Sequence, residues 1–263
     1  MIGRGLLLAC LVNGPLHAQG PGWTRIGDRG EWGDHPLVVG LQSRFWWVSG
    51  DGSLEYTNPW DNHTRTLGSV GAYQGTTLLA AGRDGDLYNV QDGTLYVTHV
   101  GPGNWSQVGG KGDWAHTKLL TATDSFLWSI EENGSFYKTD LSGHFIRLGR
   151  EGEKRLAQYL EALDGRLYVL ELGTLYTLTP GQDSWQRISD YADYAGAEAF
   201  TAAEGYLWHV EGDGNLYRTD PGDGRWTRVG EVGEYRGVTK LLAVDGVLYA
   251  IKDGTMYKTR DLR

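Results

Sequence analysis

One cysteine, Cys10, stands in a chain of 263 residues, so no disulfide framework can hold this fold together. There are only two methionines and seven prolines. No apolar run approaches membrane-spanning length, which gives no candidate for insertion as a helix. Clusters of lysine and arginine are absent as well, and the formal charge is −9. That balance argues against a nucleic-acid partner and against an anionic membrane surface. Catalytic signatures are also lacking: no nucleophile elbow, no histidine pair at metal spacing, no reactive thiol. The sequence therefore gives no catalytic residue, no metal ligand and no cofactor site, and the chain reads as a non-enzyme.

What the chain does have is glycine (40), tyrosine (15) and tryptophan (11), arranged periodically. An anchor position recurs at Trp23, Thr64, Trp105, Phe145, Trp185 and Trp226, at spacings of 41, 41, 40, 40 and 41. Four residues after each anchor stands Gly27, Gly68, Gly109, Gly149, Ser189 or Gly230. Each unit continues through an apolar stretch and two short hairpins, such as those at Asp245-Gly246 and Asp253-Gly254. A period near 40 with four short strands per unit predicts an all-β protein, a six-bladed β-propeller of four-stranded blades. The repeats start near residues 23, 64, 105, 145, 185 and 226. The anchor strand comes first in each unit and is expected outermost in its blade. Trp23–Ile26 would then complete the last blade beside residues 238–259, so that strands from both ends close the ring and remove two exposed edges.

A longer period overlies the first. Odd units carry Trp46, Trp128 and Trp208 where even units carry Tyr88, Tyr168 and Tyr249, and the following hairpin glycine comes six residues later in odd units and five in even ones. Duplication of one blade and triplication of the pair explains both. Residues 1–18 differ from the rest: a basic start at Arg4, an apolar stretch from Gly5 to Val12, and Ala18 before Gln19. This segment reads as a secretory signal peptide, leaving 19–263 as a single propeller domain and a secreted product without cysteine.

The position nine residues after the anchor reads Trp32, Tyr73, Trp114, Lys154, Tyr194 and Tyr235. It follows a glycine-rich turn and is expected on a loop. An acid precedes it in four aromatic cases: Glu31, Asp113, Asp193 and Glu234. A loop aromatic beside a carboxylate suits a sugar, with the ring stacking on pyranose C–H groups and the carboxylate accepting hydroxyl hydrogen bonds. The same rings could instead plug the seams between blades, and the residues alone leave both readings open. Aspartates such as Asp51 and Asp213 lack the alternating spacing of a calcium loop and read as turn residues.

The pattern W-x-x-[IV]-G-x-x-G-[DE]-[WY], followed by L-Y-x-[VI] and a G-x-[LF]-Y strand, resembles the tachylectin-2-like and tectonin-type propeller lectins. The resemblance runs from Trp23 to about Lys258 and is closest at Trp105 to Trp114 and Trp226 to Tyr235. It implies binding of glycans or glycoconjugates, N-acetylated hexosamines among them, in clefts between blades. This chain departs from the family in having six shorter repeats rather than five longer ones, and in Ala72-Tyr73 and Glu153-Lys154. Two rival functions stand beside the lectin reading. A protein-interaction propeller would use a single-sided patch, with Trp47, Pro59-Trp60 and Tyr191 as candidates. A channel enzyme would need polar groups converging from inner-strand starts, such as His35, Lys118 and Lys240.

Overall fold

The computed structural model describes residues 22–33, 37–60, 63–82, 85–99, 104–182 and 184–262. The proposed leader and His35 lie outside them. The described residues form six four-stranded antiparallel sheets and no helix. Each sheet is one blade of a six-bladed β-propeller. Blades I to V run in sequence order from an innermost first strand to an outermost fourth. The first strands are Val38–Leu41, Thr76–Ala81, Thr117–Ala122, Ala157–Leu163 and Ala197–Ala203. Blade VI has Val238–Val244, Val247–Lys252 and Thr255–Asp261, and takes its fourth strand from the other end of the chain. Thr24, Arg25 and Ile26 pair with Lys258, Tyr257 and Met256, which closes the ring as the repeat phase requires. The indole of Trp23 tightens the closure by donating to Glu234 Oε1 at 2.8 Å, on the loop that leaves blade V.

The core is six seams rather than one centre. Each seam has its own cluster of buried residues drawn from the facing sheets of adjacent blades. This is why the second strands are apolar on both faces. Leu167, Val169 and Leu170 have no exposure at all, and Tyr168 between them has 2%. The alternating series Trp46, Tyr88, Trp128, Tyr168, Trp208 and Tyr249 occupies these second strands and is buried throughout.

The pairwise alternation of blades has a local cause in the hairpin between second and third strands. Even blades use two-residue turns with both residues at positive φ, as at Asp92-Gly93 (48° and 72°) and Asp253-Gly254 (49° and 66°), the backbone that matches strand twist. Odd blades use longer turns closed by a side chain. Asp51, Asn133 and Asp213 each accept a hydrogen bond at 2.8–2.9 Å from the backbone N–H two residues on. Hydrogen bonds from Ser49 and Ser53 hold the Asp51 carboxyl below its usual range, so the carboxylates of Asp51 and Asp213 serve the turn.

Candidate functional site

The loop that leaves each fourth strand crosses to the next blade and carries the repeated aromatic. Its backbone is pinned to the blade it leaves. The N–H of Trp32, Tyr73, Trp114, Lys154, Tyr194 and Tyr235 donates to the carbonyl of Gly254, Gly52, Gly93, Gly134, Gly173 and Gly214 respectively, at 2.7–2.9 Å. Those glycines carry no side chain because the crossing loop occupies the space. A Cβ on Gly214 would lie 2.6 Å from the Cα of Arg236.

Of the two readings left open for these aromatics, sugar platform or seam plug, their burial fits the plug. Trp32, Tyr73, Trp114, Tyr194 and Tyr235 are all 7% exposed or less. Having passed over the hairpin, the loop turns each ring into the seam, where it meets the anchor of the following unit. Tyr73 pairs with Trp105, whose indole donates to the Tyr73 hydroxyl at 2.9 Å. Trp114 lies 4.9 Å from Phe145, Tyr194 stacks on Trp226, and Tyr235 lies 4.8 Å from Trp23. In the fourth loop Lys154 fills the same hole. Its ammonium is 3.3 Å from Glu171 Oε2 and lies over the rings of Tyr176 and Trp185. For Trp32 the anchor of the following unit is Thr64, not an aromatic, and Trp47 supplies a partner ring at 4.7 Å. That explains a tryptophan at a position where the other blades have Asn89, Ser129, Val169, His209 and Ala250.

The acids beside the aromatics are turn caps. Glu31, Asp113, Asp193 and Glu234 accept from the backbone N–H three residues earlier, at 2.6–3.0 Å, and Glu153 does the same. The glycine four residues after the anchor makes room for the cap, since a Cβ on Gly27, Gly149 or Gly230 would strike the Glu31, Glu153 or Glu234 carboxylate. The acid, the aromatic and the glycines thus form one packing unit, and none of the five rings offers a face to a ligand.

Two open spaces stand out among the described residues. The first is a rim cleft of about 720 Å³ between blades IV and V. The fourth strand of blade IV is only Gln186–Arg187, so the seam is uncovered where other blades have longer outer strands. Ser189 stands at the glycine position four after the anchor, and Ala192 at the position seven after it, where the other units have Gly30, Gly71, Gly112, Gly152 and Gly233; Ala192 keeps a positive φ of 61°. The cleft is lined by Arg187, Asp190, Asp193, Asp223, Arg225 and Trp226, with the Trp226 indole 37% exposed. Behind the indole, Tyr194, His209 and Tyr217 back it at ring distances of 4.5–5.6 Å. Exposed Tyr191 adds a second ring at the edge, under the guanidinium of Arg187 at 4.1 Å. His209 is fully enclosed, and burial pushes its pKa down to about 3. Nε2 lies 3.4 Å from Glu211 Oε1, yet enclosure dominates and keeps the ring neutral.

The second space is the central channel, about 890 Å³, walled by the six first strands. The register places a ring of small residues around it: Gly40, Ala81, Ala122, Ala162, Ala202 and Ala243. The next residue toward the strand start reads Val39, Ala80, Thr121, Glu161, Thr201 and Leu242, so Glu161 is the one acid in its layer. Lys240 lines the same channel from blade VI. Burial pushes the Glu161 carboxyl up to about 8 and the Lys240 ammonium down to about 8, each offset in part by the other's charge. Five of the six first strands carry a bulge near their start, a feature that re-aims side chains at a rim. Lys118, at one of these bulges, is tied to the Ala157 carbonyl at 2.6 Å. The candidate interaction patch does not assemble, because Trp47 is buried while Trp60 and Tyr191 lie in loops on opposite faces of the ring.

No protein-family model and no curated protein sequence matches the chain. Solved structures do. A chain of the nidogen/laminin complex superposes with a TM-score of 0.57 at 12% identity, covering 76% of this chain and 82% of that one. YCF48 bound to D1 peptide gives 0.60 at 15%, covering 87% and 79%. Virginiamycin B lyase from Staphylococcus aureus gives 0.59 at 13%, covering 92% and 85%. All three are β-propeller proteins, and at these identities the likeness is one of fold: the chain is a six-bladed β-propeller.

Proposed function

We propose that this protein is an exported carbohydrate-binding propeller and that its site is the rim cleft between blades IV and V. The observation that carries the reading is Trp226, a half-exposed indole held rigid from behind by three rings and flanked by carboxylates and guanidiniums. Its exposed surface can stack on the C–H face of a pyranose. Asp190 and Asp223 accept from sugar hydroxyls, while Arg187 and Arg225 donate to ring oxygens, hydroxyls or an N-acetyl carbonyl. A cleft of about 720 Å³ is in the range of small-molecule sites. The repeat pattern, with its resemblance to tachylectin-2-like and tectonin-type lectins, supports the same chemistry between blades. The sequence-predicted residue that contributes here is Asp193, at the cleft wall; Tyr194 acts from behind Trp226.

The test is a glycan array on the purified chain, followed by calorimetry with the best-binding monosaccharide. Trp226→Ala should weaken that binding by about tenfold, the scale of a lost aromatic contact, while the protein stays folded. Absence of binding to any glycan defeats the lectin reading. Glycan binding that survives Trp226→Ala places the site elsewhere.

A further inference from the structure

Blade IV breaks the repeat again on the face that carries the crossing loops and the hairpins between second and third strands. Leu156, Leu172 and Tyr191 are 52%, 64% and 75% exposed there. They follow one blade outward. Leu156 immediately precedes the first strand, Leu172 is in the hairpin between second and third strands, and Tyr191 is on the loop that leaves the fourth. Hydrogen bonds tie the three segments together. The Leu156 N–H donates to Glu171 Oε1 at 3.4 Å, next to Leu172. The Tyr191 loop is held on the same hairpin by the Ala192 N–H, which donates to Thr174 Oγ1 at 3.2 Å, and by the Tyr194 N–H, which donates to the Gly173 carbonyl at 2.8 Å. Among the described residues, the other exposed large apolar side chains on this face, Val70 and Val232, stand singly.

The fold does not call for these leucines. The position of Leu156 reads Asp34, Gly75, His116, Gly196 and Gly237 in the other units. Leu172 opens a two-residue turn that Asp92 and Asp253 open in the other even blades, at φ of 48° and 49°. Leu172 has φ 49° as well, a left-handed backbone that aspartate and asparagine adopt more readily than leucine. It is therefore disfavoured twice, by its backbone and by the water on most of its side chain. Apolar residues exposed singly are ordinary, whereas several on one blade mark an interaction surface.

Charge says what covers it. In the hairpins and loops of this face from blade III to blade V, residues 131–135, 150–156, 171–174, 189–196 and 211–215, acids outnumber bases nine to three. One of those bases, Lys154, is buried against Glu171 and adds no cation to the surface. A second copy of the chain would set the same acid surplus against itself, and nucleic acid or an anionic membrane would be repelled. We propose that this face of blade IV docks a basic peptide segment of a partner protein, its apolar side chains on Leu156, Leu172 and Tyr191 and its lysines or arginines among the flanking carboxylates. The surface is independent of the carbohydrate reading, because Leu156 and Leu172 lie outside the rim cleft.

Calorimetry on the full chain at low ionic strength decides it, with Ac-Lys-Lys-Leu-Ser-Leu-Lys-Lys-amide as probe. The two leucines, two residues apart, share one face of an extended peptide. One control replaces both leucines by serine, and the other replaces every lysine by glutamate. Wild type should bind the probe about tenfold or more tightly than either control, the scale of one lost apolar anchor. Raising the ionic strength from about 0.02 M to about 0.2 M should weaken probe binding, since exposed charges are then screened. Leu172→Asn suits the turn backbone and keeps the net charge, so it should melt no lower than wild type and bind the probe about tenfold more weakly. Monosaccharide binding, where the array finds it, should be unchanged in that variant. The peptide comparison needs no mutant, so it stands even if the variant misfolds. No binding of the probe, equal binding of the leucine and serine peptides, or full affinity in folded Leu172→Asn overturns the proposal. So does a wild-type dimer in sedimentation that Leu172→Asn converts to monomer, which gives the surface to a second copy.

Discussion

Replacing Trp114 by alanine tests whether the repeated loop aromatic is a structural plug. The ring is 1% exposed, lies 4.9 Å from Phe145, and donates from Nε1 to the Val108 carbonyl at 3.2 Å. Its neighbours Val90, Leu95 and Leu127 have no exposure and come from rigid strands of two different blades, so the hole cannot collapse around the smaller side chain. Large aromatic truncations in such places cost about 3–5 kcal/mol. In a domain of this size each kcal/mol lowers Tm by about 2–4 °C, so Trp114→Ala should melt roughly 6–20 °C below wild type. Trp226→Ala is the internal comparison. It removes a ring that is already 37% exposed, keeps Tyr194 and Tyr217 as cover, and should cost about half as much or less. Both melts can be read by the same scanning calorimetry, with urea unfolding giving the free energies directly. If Trp114→Ala melts within about 2 °C of wild type, the ring is not a plug, and the account of the acid, aromatic and glycine as one packing unit fails.

Two further outcomes follow from the same geometry. Gly214→Ala should be more destabilising than Gly30→Ala: both glycines have positive φ (82° and 76°), which costs a side chain about 1–2 kcal/mol, but only at Gly214 would the new Cβ meet backbone, 2.6 Å from Arg236, whereas nothing lies within 4 Å of it at Gly30; equal losses in urea unfolding would refute the pinned-loop account. His209 has a folded pKa lowered to about 3 from 6.5, so below pH 6.5 the unfolded chain binds the proton first and stability falls as pH drops toward 3; between pH 7 and pH 5 this amounts to about 2 kcal/mol, and His209→Phe should lack that part of the slope, which parallel slopes for the two proteins would contradict.

The parts of the fold that were readable from the chain are those fixed by spacing. Six anchors gave six blades, and the phase of Trp23 relative to residues 238–259 gave the closing strand, because the repeat leaves it only one empty edge to join. The Trp/Tyr alternation and the five- or six-residue step to the hairpin glycine marked two turn types, each with its own backbone solution. The accessibility of the loop aromatics was not readable in the same way. A glycine-rich turn says that the chain leaves a strand; it does not say that the loop folds back over a hairpin and drives its ring inward. The signals that settle the matter are correlations between distant positions: ring with the next anchor, acid with the glycine four residues before it, loop backbone with a hairpin glycine about twenty residues earlier. Trp47 is the clearest case, since it makes sense only against the threonine at position 64.

That contrast says where function should be sought in a repeated fold. Positions that recur in every blade are explained by the blade, because the same seam must be sealed six times. Residues that break the repeat owe nothing to that requirement. Unit five breaks it with Ser189 and Ala192 for glycine, a two-residue outer strand and a buried histidine at 209, and the rim cleft opens there. The first-strand series breaks at Glu161 and Lys240, both of which line the central channel. Both departures are visible once the six units are aligned on their anchors. What the sequence could not supply is the twist of the outer strands and the closure of the ring, which bring Asp190, Asp223 and Trp226 to one cleft and set two side chains nearly 80 positions apart on the wall of one channel, with a single blade between them.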